Sequence, residues 1–202
     1  MTGRYFLLFF GFLCLLSKNL SAQGNFSRKD SLKGGLTEER TWWDLNYYHL
    51  KTEVNPTEKY ISGSNTIQYK VLKPYQIMQI DLQKPMQIDS IIQNGKHLEF
   101  STEFNAHFIR LKEAQLTGST QKLTVYYSGN PRVARNAPWD GGFTWEKDQN
   151  GQHFIATANQ GIGASVWWPC KEHPTDEPDS MLISVNAQNP LVDVSNGRLR
   201  VV

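Results

Sequence analysis

The 202-residue sequence has little cysteine, little excess charge and no long apolar run. There are two cysteines, Cys14 and Cys170, and no C-x-x-C pair, so neither a disulfide framework nor a zinc thiolate site can be built from them. The longest mostly apolar stretch, residues 5–16, is uncharged but holds only 12 residues, short of the about 20 that span a bilayer. It follows Arg4 and precedes the small residues Ser21 and Ala22, the pattern of an export signal peptide. Residues 1–22 are therefore expected to be removed, leaving a periplasmic or extracellular chain with no transmembrane segment. The 21 basic residues outnumber the 19 acidic ones by two, and both extra bases, Arg4 and Lys18, lie in that leader. The remainder is charge-balanced, and a polybasic nucleic-acid surface is excluded. It also keeps Cys170 as its single thiol.

Several catalytic signatures are missing. The five histidines, His49, His97, His107, His153 and His173, are nowhere four apart, so an H-E-x-x-H zinc helix is absent. There is no G-x-S-x-G elbow and no Walker loop. Gly161-Ile162-Gly163 is only half of a dinucleotide fingerprint. Asp176, Glu177 and Asp179 form either a carboxylate group for a cation or a solvated loop between Pro174 and Pro178; without a full ligand set the solvated loop is preferred. Cys170 reads as a buried structural thiol rather than a nucleophile paired with His173.

What remains is β-structure. No window sustains an i, i+3, i+4, i+7 stripe. Residues 23–40 are polar and read as a flexible tether with almost nothing to bury, and order is expected from Thr41-Trp42-Trp43 onward. Residues 43–50 alternate, with Trp43, Leu45, Tyr47 and His49 on one parity. Further strands are predicted at 60–72, 75–82, 86–92, 97–100, 104–111, 122–127, 143–147, 153–157, 165–168, 181–185 and 191–194. Asn55-Pro56-Thr57 is a turn signal, and Asn94-Gly95 and Asn150-Gly151 mark hairpins. The fold class is all-β: many short strands over 41–202, as in a sandwich or a barrel. Residues 198–202 read as the opening of another strand, so a longer polypeptide is expected.

The densest stretch runs from Ala156 to Pro174. Gln160 is followed by the small residues Gly161, Gly163, Ala164 and Ser165, then by Trp167-Trp168-Pro169-Cys170. Small residues permit close approach of backbone to another surface, and the tryptophans and proline fix an apolar corner. A loop of this kind places one amide against a polar ligand group.

Here the chain resembles the N-terminal domain of the aminopeptidase N and leukotriene hydrolase family of zinc metallopeptidases, the M1 family. The resemblance rests on Gln160 ten residues before the cysteine of Pro169-Cys170, the turn Glu172-His173-Pro174, the strand-turn-strand containing residues 61–67, and Ser195-Asn196-Gly197. It implies an antiparallel, saddle-like β-sandwich packed on a catalytic domain of the same polypeptide. It also implies that Gln160, with Gly161, Ile162 and Gly163 lining, meets the free amino terminus of a peptide substrate. Trp168, Pro169, Cys170 and Pro174 take structural parts. Zinc is implied for a full-length relative and no cofactor for this chain, because the family's zinc and exopeptidase motifs do not occur here. The chain alone is expected to be catalytically silent. A different class of protein also suits the composition: a secreted β-sandwich module binding carbohydrate or a cell-surface partner through Trp42, Trp43, Trp139, Trp145, Trp167 and Trp168.

Overall fold

A computed structural model describes residues 26–200, and the expected leader lies outside them. Among the described residues eleven strands carry the architecture: β1 (Trp43–Asn55), β2 (Tyr60–Val71), β3 (Ile77–Asp81), β4 (Gln87–Gln93), β5 (Lys96–His97), β6 (Glu99–Glu103), β7 (Ala106–Arg110), β8 (Thr120–Gly129), β9 (Gly142–Lys147), β10 (His153–Ala158) and β11 (Ser180–Ala187). They form a six-stranded sheet in the order β11-β1-β2-β8-β4-β5, a three-stranded sheet β3-β7-β6, and the hairpin β9-β10. Every pairing is antiparallel except β1 with β11. The all-β class is thus established, and among the described residues no helix is long and apolar enough to cross a membrane.

Period-2 alternation builds the core between the larger sheets. Ile61, Ile67 and Tyr69 from β2, Leu123, Val125 and Tyr127 from β8, and Ile91 from β4 are buried in one cluster with Met78, Ile80 and Ile109 of the smaller sheet. Strand β1 departs from the expected single parity. Trp43 and Leu45 are buried, but so are Tyr48 and Leu50, while Tyr47 and His49 are half-buried. A bulge between Leu45 and Tyr47 shifts the register against β2. One extra residue turns every later side chain to the opposite face.

Residues 26–42 differ most from expectation. Instead of a tether, α1 (Arg28–Gly34) and α2 (Glu38–Thr41) pack onto β3. Ser27 caps α1, accepting from Asp30 N–H while the Asp30 side chain accepts from Ser27 N–H, a reciprocal capping box. Leu32 is only 2% exposed and Arg40 1%. Arg40 donates to both carboxylate oxygens of Asp81, at 2.8 and 2.7 Å, and to Gly35 O at 3.0 Å. The Gln79 amide donates to Leu32 O and to Asp81 Oδ1, both at 3.1 Å. Gln79 and Asp81 therefore serve the helices while Met78 and Ile80 serve the core. Burial raises the Asp81 carboxyl from its ordinary range, against the pull of Arg40. A count of apolar residues misses this docking because one ion pair and several backbone carbonyls carry it.

The two Asn-Gly signals diverge. Asn94 and Gly95 have φ of 51° and 73°, as a type I′ turn requires. At the second, only Gly151 is positive, at 79°. There Asp148 Oδ1 accepts the N–H groups of Asn150 and Gln152, both at 2.8 Å, and sets a longer loop. Two expected strands are not formed. Within 165–168 the backbone makes a 3₁₀ turn, Ala164–Val166, and residues 191–194 are irregular.

Candidate functional site

Strand β10 ends at Ala158, paired with Gly142, and the chain turns at once. Asn159 O accepts Ile162 N–H at 3.2 Å and Gly163 N–H at 2.9 Å. Gly161 has φ of 77°, the positive value that a type II turn demands at its third residue. Gln160 occupies the second position and is exposed, as is Gly161, while Ile162 and Gly163 are half-buried.

The turn is held from behind. The Gln83 amide donates to Ile162 O at 2.7 Å and to Ser165 Oγ at 3.0 Å, and Gln83 N–H donates to Ser165 O at 2.8 Å. Glu172 accepts Ser165 N–H at 2.7 Å. Its carboxylate lies directly over Gly163, where φ is 87° and any Cβ would collide with it. Glycine at 163 thus satisfies both the backbone conformation and the close approach.

The Trp168-Pro169-Cys170 corner is buried. Trp168 stands edge-on to Tyr48 at 5.1 Å between ring centroids. Pro169 O accepts from buried Asn65 at 2.8 Å. Cys170 exchanges backbone hydrogen bonds with Asp81, at 2.8 and 3.1 Å. Burial, then the neighbouring Glu172, pushes the Cys170 thiol well above its ordinary value. Its Sγ–H points at Glu172 Oε2, 3.7 Å away. His173 faces Gly34 O at 3.2 Å and Thr175 Oγ1 at 2.8 Å, so no thiol–imidazole pair forms. Pro174 is exposed, at the second position of the turn closed by Asp176 N–H on His173 O.

The acidic segment is not simply a solvated loop. Asp176 ion-pairs with buried Lys171 and accepts Leu45 N–H at 3.3 Å. Lys171 also donates to Trp43 O at 2.7 Å and lies 3.9 Å from the centre of the Trp43 ring. Desolvation lowers its pKa, and Asp176 resists that change. A lysine among aromatic rings cannot remain charged without such a partner. Among the described residues no group of histidine, cysteine and carboxylate side chains is placed to hold a metal ion.

Sequence reasoning found the turn and its corner but missed Gln83, Asn65 and Tyr48, which hold them. These lie far away along the chain and belong to ordinary strands or their ends, so no local signal marks them. Of the six tryptophans, Trp42, Trp43, Trp145 and Trp168 are buried and Trp167 is half-buried; Trp139 is the exposed one. A trough of about 550 Å³ on the six-stranded sheet, lined by Lys51, Ser62, Ser64 and Tyr126 among others, includes none of the turn residues.

The fold has counterparts among known proteins. The family model described as the Peptidase M1 N-terminal domain matches residues 45–201. The chain therefore belongs to that family. No curated protein matches it. Among solved structures, the M1 zinc metallopeptidase from Deinococcus radiodurans is 20% identical with a TM-score of 0.60, over 74% of this chain and 33% of that one. A variant of that enzyme bound to a Tyr-Ser-Ala substrate is 21% identical with a TM-score of 0.56, over 73% and 32%. Leukotriene A4 hydrolase from Saccharomyces cerevisiae is 16% identical with a TM-score of 0.59, over 74% and 24%. The chain spans a third or less of the length of these structures. In its family this domain accompanies a catalytic domain on the same polypeptide.

Proposed function

We propose that this domain forms one wall of the substrate cleft of an exported zinc aminopeptidase, and that Gln160 receives the free amino end of the peptide. The observation that carries this reading is the exposure of Gln160 on a turn whose backbone is fixed from behind by Gln83 and Glu172. A backbone fixed in advance limits the ordering cost of a contact to the rotamers of the side chain itself. The Gln160 carbonyl oxygen accepts from an ammonium group; its NH₂ cannot. The contact is weaker than that of a carboxylate, whose charge strengthens the bond. Gly161 lets the peptide backbone approach, while Trp168, Pro169 and Cys170 keep the turn in place.

Zinc and the general base belong to the accompanying catalytic domain, where the metal would polarise the scissile carbonyl and activate water. The isolated domain is silent on this reading, and metal-dependent turnover of aminoacyl-nitroanilides by the purified chain would contradict that. Export follows from the leader at 1–22.

The decisive test uses the full polypeptide carrying this domain. Gln160→Ala should raise KM for free-amine substrates without lowering Tm, and Gln160→Glu should lower KM by restoring a charge-assisted contact. Unchanged KM in both variants removes Gln160 from the site.

A further inference from the structure

The loop joining β8 to β9 packs against the Gln160 turn. Any side chain at Gly141 would overlap Ile162 and press on Ala158 O at 3.2 Å. Gly142 pairs with Ala158, immediately before Asn159 and Gln160. Two residues before Gly141, Trp139 is 84% exposed.

This loop is internally fixed. The Asp140 carboxylate accepts Arg135 N–H at 2.8 Å and Asn136 N–H at 3.0 Å. Trp139 N–H donates to Asn136 O at 2.8 Å, and Arg132 donates to Asp140 O at 3.1 Å. Arg132 O accepts Phe143 N–H at 2.7 Å, and Phe143 O accepts Ala134 N–H at 2.9 Å. The backbone N–H bonds hold Asp140 below its ordinary range, so the clasp is ionised at neutral pH. A large indole is therefore displayed to water on a preordered backbone. Such rigid aromatic groups supply contact area with little entropy loss when an apolar group arrives.

The geometry points to Trp139 as a specificity-determining wall of the cleft: its indole packs the apolar side chain of the substrate residue whose amine Gln160 receives. This assignment rests on the reading that Gln160 borders the cleft. It names the substrate class as peptides beginning with a large aliphatic or aromatic residue.

The test compares alanyl-, leucyl- and phenylalanyl-nitroanilides on the full polypeptide with its catalytic domain. Trp139→Ala should lower kcat/KM for the leucyl and phenylalanyl substrates about tenfold or more while leaving the alanyl substrate within about twofold. Trp139→Phe should retain most of the selectivity. No loss on any substrate overturns the assignment. So does an equal loss on all three, which, with a lowered Tm, would place Trp139 on the catalytic-domain interface. Gln160→Ala in parallel separates the two ideas, because it should raise KM on all three substrates alike. An unchanged KM there defeats the amine-binding reading whatever Trp139 does.

Discussion

Strand β3 and the hairpin β9–β10 both lie outside the six-stranded sheet, yet they differ in how far their polar atoms are paired. Around β3, Gln79 and Asp81 are turned inward, and both are joined by hydrogen bonds to the N-terminal helical segment, where Arg40 Nε is buried without a protein partner. Around the hairpin, the indole N–H groups of Trp145 and Trp167 and Asn159 Oδ1 are buried without a protein partner, and Phe154 and Trp139 face water at 55% and 84% exposure. One region is closed upon itself by its own chain. The other has its backbone fixed but leaves the Phe154 and Trp139 rings in water, as suits a surface that meets something else.

Substitutions can break this contrast. The largest effect is expected at the buried pair. Arg40→Met strands the Asp81 carboxylate and should cost about 3–5 kcal/mol of stability, whereas Arg40→Met with Asp81→Leu should cost less than Arg40→Met alone. Urea unfolding measures both, and a double variant no more stable than the single one would dismiss the coupling. Next comes Gly163→Ala, which combines a positive φ with collision against Glu172 and should cost about 1–3 kcal/mol. Gly161→Ala should be milder, since open space surrounds that position. Equal melting temperatures for the two variants would mean that Glu172 does not clasp the turn.

A gentler probe is pH. Burial lowers the pKa of His107 below 6.5, with a smaller opposing contribution from its hydrogen bond to Leu82 O. The folded state thus favours the neutral ring. Its stability is complete above pH 6.5 and declines as pH falls below 6.5 toward the depressed folded value. His107→Gln should flatten that part of the stability–pH profile; an unchanged slope would assign it elsewhere. The smallest effect is expected at the exposed indole. Trp139→Ser should alter stability by no more than about 0.5 kcal/mol, and a larger loss in thermal unfolding would show that the indole already has a structural duty.

The strands of the main sheet were readable because their physics is local. Alternating Ile, Val, Tyr and Thr suit a pleated surface, and Asn94-Gly95 tolerates the required backbone. The Gln160 turn was readable for a related reason: its glycines and the Trp-Pro corner lie together in sequence. What escaped detection was long-range or a matter of register. Nothing in residues 43–50 announces the bulge that sends Tyr48 inward. Nothing in 26–42 discloses that Asp81 waits for Arg40, and nothing near Asp176 tells that Lys171 will be drawn beneath Trp43. The segment 165–168, apolar enough for a strand, curls because Gly163, Ser165 and Glu172 are clasped together.

The parallel pairing of β1 with β11 also has a consequence in time. Tyr47 must wait for Ser180, and Val54 for Ala187. While the chain is being made, β1 can pair with β2 once residues 60–71 have followed the turn at Asn55, but its other edge stays bare until β11 has been synthesised. Long-range pairings of this kind are slow to form, and an open strand edge is a template for wrong partners. The edge of β1 is therefore exposed throughout assembly, and β11, on arriving, covers it and becomes the edge strand in its place.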